Sequence, residues 1–250
     1  MGAGNVATHL SRQLHAQGHS IDCVWSRSLE SALMLAHQVE ARASSELSEL
    51  PRRADFYLLA VPDEAVAGLA ADCADCRGIW LHCAGALSMQ VFQGLVPEYG
   101  VMYPLQTLSK EFPLQSGKIP FLVEGSSPEV GAQVTHLASS ISERVETADS
   151  ATRLVIHLAA VFANNFSNHM VHIAQQILEE QNLPAGILDP LLEETFMKIV
   201  SLGAGKAQTG PAVRDDQITL KRHIECLKTH PEWEKLYTFM SREITRSRKE

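Results

Sequence analysis

The first residues of the chain have the types and the spacing of a phosphate-binding loop. They follow the pattern G-x-G-x-x-A, which consists here of Gly2, Ala3, Gly4, Asn5, Val6 and Ala7. The first glycine permits a tight turn, the second lets the backbone approach a pyrophosphate, and the small last residue lets a helix pack closely on a strand. Backbone N–H groups and the positive end of that helix then face the phosphates. The pattern predicts a dinucleotide-binding site, with a purely structural glycine turn as the alternative.

The end of the second predicted strand carries residues that discriminate between dinucleotides. A site for NAD places an aspartate or glutamate there to hold the ribose 2′-OH, but Ser26 occupies that position. Asp22 lies at the beginning of the strand and cannot substitute for it. The hydroxyl groups of Ser26 and Ser28 can donate hydrogen bonds to a 2′-phosphate, and the guanidinium of Arg27 can pair with it. The sequence therefore favours NADP(H), and the alternative is a polar turn with a solvated arginine.

Two later predicted strands end in small residues. Ligands of open α/β sheets gather at the carboxyl ends of the strands, where small side chains let nicotinamide and its ribose come close. We therefore expect further cofactor contacts at Ala60, Val61, Pro62, Ala84 and Gly85. His82 directly precedes the second of these ends, and such a residue is more typically a structural histidine than a proton donor.

Polar residues recur with helical spacing in the second half of the chain. Arg153, His157, Asn164 and Asn168 are separated by four, seven and four positions, which predicts one stripe on a helix. His157 would act as a general acid that donates a proton to a carbonyl or imine as hydride arrives. Asn164 and Asn168 would orient the substrate. The alternative is a buried polar network that holds helices or subunits together.

Three further residues are candidates for substrate binding. Gln106 and Thr107 follow a predicted strand together with Tyr103, and we expect them to line the cleft. Arg214 lies in a glycine-containing loop between predicted helices, and its planar guanidinium suits a carboxylate or a phosphate. The same side chain would pair equally well with one of the two aspartates that follow it.

These candidates need a scaffold, and the hydrophobic pattern predicts one in two parts. Up to about residue 148, apolar runs alternate with amphipathic helices, which is typical of a doubly wound (Rossmann) parallel sheet. We therefore predict a dinucleotide-binding domain over residues 1–148 and an all-α domain over residues 149–250, beginning with a helix of about thirty residues. The predicted strands are residues 21–25, 56–61, 79–83, 101–103 and 120–124. The predicted helices outside that long one are residues 5–17, 29–38, 187–202, 219–229 and 232–246, with another beginning at 62.

The beginning of the chain departs from this scheme. A glycine loop of this kind follows the central strand of the sheet, and such a strand needs about five residues, but only Met1 precedes the loop. We expect the natural protein to extend upstream of Met1 by a short apolar segment. For the chain as it stands we expect an interrupted sheet and weak cofactor binding.

The overall composition excludes several classes of function. A formal net charge of −8 argues against a surface for nucleic acid or for anionic membranes. No apolar run reaches the roughly 18–20 residues of a membrane span. Five cysteines without a secretory signal indicate a reducing, cytoplasmic setting. Cys73 and Cys76 form a lone C-x-x-C, but a metal site would need two more ligands at close spacing, and none lie nearby.

Five segments together resemble a known family, the Rossmann-like NADP- or deazaflavin-dependent oxidoreductases with a helical C-terminal domain of unknown function. They are GAGNVATHL at residues 2–10, HCAG at 82–85, YPLQTLS at 103–109, HLAAVFANNFSNH at 157–169 and TGPAVRD at 209–215. The chain is more distantly similar to pyrroline-5-carboxylate reductase and to 6-phosphogluconate and β-hydroxyacid dehydrogenases. The resemblance implies a nicotinamide-binding first domain and a helical second domain of the 6-phosphogluconate dehydrogenase type. Such second domains often dimerise, so we expect a homodimer.

One departure from these relatives affects the predicted mechanism. In β-hydroxyacid dehydrogenases a lysine and an asparagine four residues apart on the corresponding long helix serve substrate binding and proton transfer, and this chain has no such lysine. Two functions therefore remain open. The chain is an NADP-dependent oxidoreductase that transfers hydride to or from a small carbonyl or imine substrate, or it is a non-catalytic dinucleotide-binding or sensing protein. His157 distinguishes them, because a position at the nicotinamide end of the cleft supports catalysis.

Overall fold

The computed structural model describes residues 1–112 and 117–247. The chain forms two compact units, Met1–Asn165 and Phe166–Glu250. In the first unit, strands and helices alternate as the sequence predicts, up to a last strand that ends at Thr147. The predicted domain boundary near residue 148 stays a prediction, since the next helix still belongs to the first compact unit.

The strands of the first unit form two sheets. The smaller one pairs β1 (Cys23–Trp25) with β2 (Arg42–Ser44) in parallel. The larger one has the order β3-β4-β5-β6-β7, with bounds Arg53–Leu59, Arg77–His82, Tyr99–Pro104, Phe121–Gly125 and Val145–Thr147. All its neighbours are parallel except β5 and β6, which are antiparallel. Helices α1 to α4 accompany these strands and span Asn5–Ala16, Leu29–Gln38, Asp63–Asp72 and Pro128–Ser139.

Helices cover both faces of the larger sheet, which confirms the predicted Rossmann architecture. The continuous apolar run in β4 shows why, because successive side chains of a strand point to opposite faces. Ile79 and Leu81 enter a core shared with α1 and α4, whereas Trp80 enters a second core shared with α3. All three side chains are buried. The sheet is therefore enclosed, and only its edges and strand ends are free to form a site.

The two sheets are separated by a break between β1 and β3. A cavity of about 990 Å³ lies there, lined by residues of α1, β1 and β3. At one end of the break Met1 bonds to the β3 side. Its amine donates to the Leu58 carbonyl at 2.5 Å, and its own carbonyl accepts from the Ala60 N–H at 2.9 Å. On the other side the Gly2 N–H donates to the Trp25 carbonyl at 2.8 Å. The glycine loop is thus joined to the carboxyl ends of both strands.

Three elements of the first unit did not emerge from the sequence pattern. Strands β2 and β7 have three residues each, which is too short for a two-residue period to be recognised. Helix α4 begins at Pro128 and contains Gly131, and both residue types weaken a helical pattern. Its beginning is instead defined by Ser127, whose side chain accepts a hydrogen bond from the Val130 N–H.

The long helix predicted after residue 149 is divided into three segments. Helix α5 spans Ser150–Ala160, a π-helical segment spans Val161–Phe166, and α6 spans Ser167–Glu179. Hydrogen bonds in a π-helix run from i to i+5, so each turn holds more residues than in an α-helix. Residues that are separated by whole α-helical turns in the sequence therefore do not stay on one face of the helix across this segment.

The second unit is helical, as predicted. After α6 it contains α7 to α10, which span Asp189–Leu202, Ala204–Ala207, Gln217–Cys226 and Pro231–Ser247. Its buried apolar side chains, among the described residues, are Ile173, Ala212, Leu220 and Leu227. Many large apolar side chains on its helices are exposed instead. Within residues 1–112 and 117–247, no helix combines the length and apolar character needed to cross a membrane.

Candidate active site at the carboxyl ends of the strands

The glycine loop has the geometry that a dinucleotide requires. Gly2 has φ +98°, and a Cβ at that position would lie 2.2 Å from the Ala60 carbonyl oxygen, so no other residue fits there. Around Gly4 the structure leaves space, because a Cβ would meet no atom within 4 Å. Helix α1 starts directly after Gly4, with no side chain capping its first N–H groups and no acid in its first turn. An open, uncapped helix N-terminus fits a pyrophosphate.

The turn between β1 and α2 contains the residues predicted to recognise a 2′-phosphate. Arg27 and Ser28 are exposed, and Ser26 is partly buried. Ser26 Oγ accepts a hydrogen bond from the Ser28 N–H at 3.4 Å, while Ser28 Oγ accepts from the Ser31 N–H at 3.2 Å and so caps α2. Because both hydroxyl groups act here as acceptors, their own protons stay available to a phosphate oxygen.

The small residues predicted to contact the cofactor lie at neighbouring strand ends. Ala60 follows β3, and the Cys83 N–H beyond β4 donates to the Leu59 carbonyl at 3.3 Å. Since Gly2 packs on Ala60, the glycine loop, residues 60–62 and residues 84–85 lie along one edge of the sheet. The geometry thus brings together most of the predicted cofactor contacts of the first unit.

His157 of α5 lies at this same edge. Its Nδ1 is 3.1 Å from the hydroxyl of Tyr103, close to the end of β5, and the two rings meet edge to face with centroids 5.9 Å apart. A Cβ on Gly85 would lie 2.5 Å from His157 Nδ1 and 2.9 Å from Tyr103 Cζ. Only a glycine at position 85 therefore lets the two rings approach the end of β4. Burial raises the pKa of the Tyr103 phenol above its ordinary value.

A buried ion pair anchors α5 to the strand ends. Arg153 is fully buried, and its guanidinium bonds to Glu124 on β6 at 2.6 Å and to the Leu87 carbonyl at 2.7 Å. Ser150 completes the network by donating to Glu124 at 2.8 Å and accepting from the Met89 N–H at 3.1 Å. The sequence placed Arg153 on a polar stripe but gave no sign of Glu124 or Ser150, which lie on different elements. This network sets the position of His157, one turn further along α5.

His82 is the other histidine near the strand ends, and its environment fits a structural role. The side chain is fully buried on β4, and its Nδ1 accepts a hydrogen bond from the Ala84 N–H at 3.2 Å. Burial, and secondly the positive charge of Arg153, lower the pKa of His82 to about 3. The ring is therefore neutral near pH 7 and serves to shape the turn that leads to Gly85.

The two asparagines predicted beside His157 are placed differently. Asn164 lies within the π-helical segment of the first unit, and Asn168 lies on α6 in the second unit. Both are exposed. The π-helical segment breaks the equal spacing on which the predicted stripe depended, so their roles stay predictions.

Gln106 and Thr107 lie in the exposed loop that follows β5. The Gln106 side-chain oxygen accepts a hydrogen bond from the Thr107 N–H at 2.8 Å. A contact joins this loop to α1, because Nε2 of the buried His9 lies 2.7 Å from the Ser109 carbonyl oxygen. His9 was missed as a contributor, although it belongs to GAGNVATHL, the first of the segments that resemble the family.

Arg214 lies in the second unit and is exposed. The two adjacent aspartates bond to other residues. The Asp215 side chain accepts a hydrogen bond from the Gln217 amide at 2.6 Å, and the Asp216 side chain caps α9 by accepting from the Thr219 N–H. Hydrogen bonds from Thr219 lower the pKa of Asp216, and Arg214 contributes to the same shift only weakly. Over the described ranges Arg214 makes no ion pair within 4.0 Å. The same part of the chain contains no cluster of three or more metal-ligating side chains.

Comparison with known proteins agrees with this arrangement. Residues 1–78 match the family described as NADP oxidoreductase, coenzyme F420-dependent, and residues 119–244 match a domain of unknown function, DUF2520. One similar crystal structure is a Bacteroides fragilis protein described as a "putative NADP oxidoreductase", which is 41% identical in sequence. The match covers 98% of this chain and 96% of the Bacteroides chain, with a TM-score of 0.93. No curated protein matches the chain.

More distant structures share the fold. Pyrroline-5-carboxylate reductase from Streptococcus pyogenes is 13% identical over 97% of this chain and 95% of its own, with a TM-score of 0.63. A reductive aminase from Aspergillus terreus, in complex with NADPH and ethyl-5-oxohexanoate, is 16% identical over 97% and 92%, with a TM-score of 0.68. The full-length similarity to the Bacteroides protein and the DUF2520 match together assign the chain to a family. It belongs to the NADP oxidoreductase family with a DUF2520 carboxyl-terminal domain, as its motifs predicted.

Proposed function

We propose that the chain is an NADPH-dependent reductase of small carbonyl or imine compounds, with His157 as its general acid. The observation that carries this proposal is the contact of His157 with Tyr103 and Gly85 at the ends of β4 and β5. This is the edge of the sheet where the glycine loop offers a pyrophosphate site. The reductive aminase with the same fold binds NADPH, which supports the choice of cofactor.

The residues of the first unit fit this cofactor in a definite order along the sheet edge. The loop from Gly2 to Ala7 would hold the pyrophosphate, and Ser26, Arg27 and Ser28 would hold the 2′-phosphate. Residues 60–62 and 84–85 leave space for the ribose and the nicotinamide. When bound, the reduced nicotinamide supplies a hydride. His157 would donate a proton to the substrate oxygen or nitrogen as negative charge develops there.

The remaining candidates would act on the substrate. Gln106 and Thr107 lie in the loop after β5 and would donate hydrogen bonds to it. Asn164 and Asn168 would orient it, and Arg214 would bind an acidic group. These assignments rest on residue type and position in the chain.

The choice of cofactor is tested with Arg27→Ala. Charge-assisted hydrogen bonds contribute roughly 1.5–3 kcal/mol, so the variant should bind NADPH about ten to 150 times more weakly and keep its affinity for NADH. Fluorescence titration with both cofactors measures this. The control is Arg12→Ala, which removes an exposed arginine that bonds to Gln38. Equal affinity of the unmodified protein for NADPH and NADH would refute the assignment.

The role of His157 is tested with His157→Ala. The purified protein is screened against small ketones, with and without an amine, by the loss of NADPH absorbance. The variant should lose turnover of every active compound while NADPH binding and the circular dichroism spectrum stay unchanged. His223→Ala, in the second unit, is the control and should keep full activity. A fully active His157→Ala, or one that unfolds, would contradict the proposed role.

We also infer a cytoplasmic homodimer. All five cysteines are free, which suits a reducing compartment. The exposed apolar side chains of the second unit support self-association, because burying them against a second copy would remove them from water.

A further inference from the structure

We propose that Tyr103 acts through His157, as a positioning residue that fixes the imidazole tautomer and supplies the proton that His157 passes on. This inference rests on the proposed function, because it concerns the same general acid. It adds a second residue to the acid and an activity at alkaline pH that a lone histidine would not have.

The contact between the two side chains restricts where the protons lie. The Tyr103 hydroxyl is 3.1 Å from His157 Nδ1, and over the described residues it has no other hydrogen-bond partner. The raised pKa of the phenol keeps its proton in place near pH 7. A hydroxyl that donates to Nδ1 leaves the neutral imidazole with its proton on Nε2, because one ring nitrogen accepts while the other carries the hydrogen.

The packing around the ring decides which nitrogen can reach a substrate. Nδ1 faces Tyr103 and also lies against the backbone at Gly85, where even a methyl group would approach to 2.5 Å. Nothing else can therefore enter on that side. Nε2 has no hydrogen-bond partner among residues 1–112 and 117–247. The nitrogen that carries the proton is thus the one left free to donate it.

The proton transfer through Tyr103 and His157 breaks two bonds and forms two. As negative charge develops on the substrate, the Nε2–H bond breaks and a new O–H or N–H bond forms on the substrate. At the same time the phenolic O–H bond breaks and an Nδ1–H bond forms. Tyr103 is left as a phenolate, which Arg153 stabilises by its positive charge, the second cause acting on the pKa of this phenol. The Nδ1 proton then returns to the Tyr103 oxygen, and water delivers a new proton to Nε2, which restores the starting tautomer.

The pair differs from a lone histidine in the alkaline range. A histidine alone donates only when doubly protonated, and that fraction falls about tenfold for each pH unit above its pKa. The pair donates from the neutral imidazole, so its activity persists until the phenol ionises. This proton relay from Tyr103 through His157 therefore extends activity to higher pH.

The test is Tyr103→Phe, which keeps the ring and removes the hydroxyl. With the most active compound of the ketone panel, the unmodified protein should hold its kcat between pH 7 and pH 9. The variant should lose kcat progressively relative to the unmodified protein as the pH rises over that range, with NADPH affinity unchanged. Parallel pH profiles of the two proteins would overturn the relay. Failure of the relay and failure of the proposed function can be told apart, because the proposed function fails only if His157→Ala also keeps its activity.

A second readout needs no substrate. Nitrogen-15 NMR at pH 8 should show His157 of the unmodified protein as a single tautomer with its proton on Nε2, and as a mixture in Tyr103→Phe. The chain offers a matched control, because His223 Nδ1 lies 2.8 Å from the Tyr237 hydroxyl, with the rings again edge to face. Tyr237→Phe should alter the spectrum of His223 and leave that of His157 unchanged. A proton on Nδ1 of His157 in the unmodified protein would refute the proposal.

Discussion

The two compact units of this protein differ in how many of their large apolar side chains are buried. In the first unit, large side chains such as Trp80, Phe92 and Phe121 are completely buried on the two sides of the sheet. In the second unit, Val200, Ile218 and Phe239 are exposed to 86%, 69% and 61%. The first unit therefore buries large apolar side chains by itself on both faces of its larger sheet. The second unit presents to solvent the side chains from which a core is normally built.

This difference indicates where each unit obtains its stability. An enclosed interior tolerates a buried ion pair such as Arg153–Glu124 only because every partner is held in place. A unit with few buried side chains gains most by covering its exposed surface. Mutations inside the first unit should thus affect folding, and mutations on the helices of the second unit should affect association.

The largest effect is expected from Arg153→Ala. The substitution leaves Glu124 partly buried without its cation, and loss of one partner of such a pair costs about 3–5 kcal/mol of unfolding free energy. Urea denaturation followed by tryptophan fluorescence measures it. The double variant Arg153→Met with Glu124→Leu should be less destabilised than Arg153→Ala, because no unpaired charge remains. A loss below about 1 kcal/mol for Arg153→Ala would show that the interior relaxes around the carboxylate.

The exposed apolar side chains should matter for assembly. The unmodified protein, with a chain mass of 27.4 kDa, should scatter light as a dimer at micromolar concentration. Val200→Glu, Ile218→Glu and Phe239→Glu are each tested, and each substitution within the interface should weaken association by about 1.5–3 kcal/mol, the contribution of one buried apolar side chain. Leu33→Glu, at an exposed position of the first unit, is the control. If the unmodified protein were monomeric, the exposed apolar side chains of the second unit would form no interface, and the proposed role of this unit in association would be wrong.

The first unit should also lose stability in mild acid because of His82. Its pKa is about 3 in the folded protein, well below the ordinary value of 6.5. The unfolded chain therefore takes up a proton between these values, and stability falls as the pH falls through this window. The expected loss is about 2 kcal/mol between pH 6.5 and pH 5. His82→Asn should reduce this slope, whereas His136→Asn, at an exposed position on α4, should not. Equal slopes in all three proteins would contradict the assignment.

The smallest effect is expected from a charge pair on the surface of the second unit. Glu194 and Lys198 lie one turn apart on α7 at 2.9 Å, and both side chains are about half exposed. Glu194→Gln should change the unfolding free energy by less than about 0.5 kcal/mol. Thermal unfolding measures this change. A loss as large as that of Arg153→Ala would mean that surface charges, rather than covered apolar side chains, stabilise the second unit.

The sequence allowed the first unit to be predicted in much of its detail. Helix α2 has the predicted bounds, and β3, β4, β5 and β6 lie where the apolar runs placed them. Gly2 was predicted as the residue of a tight turn, and its positive φ and contact with Ala60 confirm that reason. These features are local, because one turn or one run of apolar residues determines each of them.

The polar contacts around His157 could not be predicted in the same way. Its partner Tyr103 is 54 positions away along the chain, and Glu124 is 29 positions from Arg153. Nothing in the spacing of single residues links such pairs. The π-helical segment Val161–Phe166 was not predicted either, and it interrupts the α-helical spacing on which the predicted stripe of Arg153, His157 and Asn164 depended.

The sequence by itself determined the class of protein: a glycine loop on a helix, alternating strands and helices, and a helical second half. These follow from short-range patterns in which each residue type restricts the backbone or one face of an element. Only the tertiary structure decided which side chains meet at the strand ends. That choice depends on how α5, β5 and β6 pack against one another, and packing brings together residues that no local pattern connects.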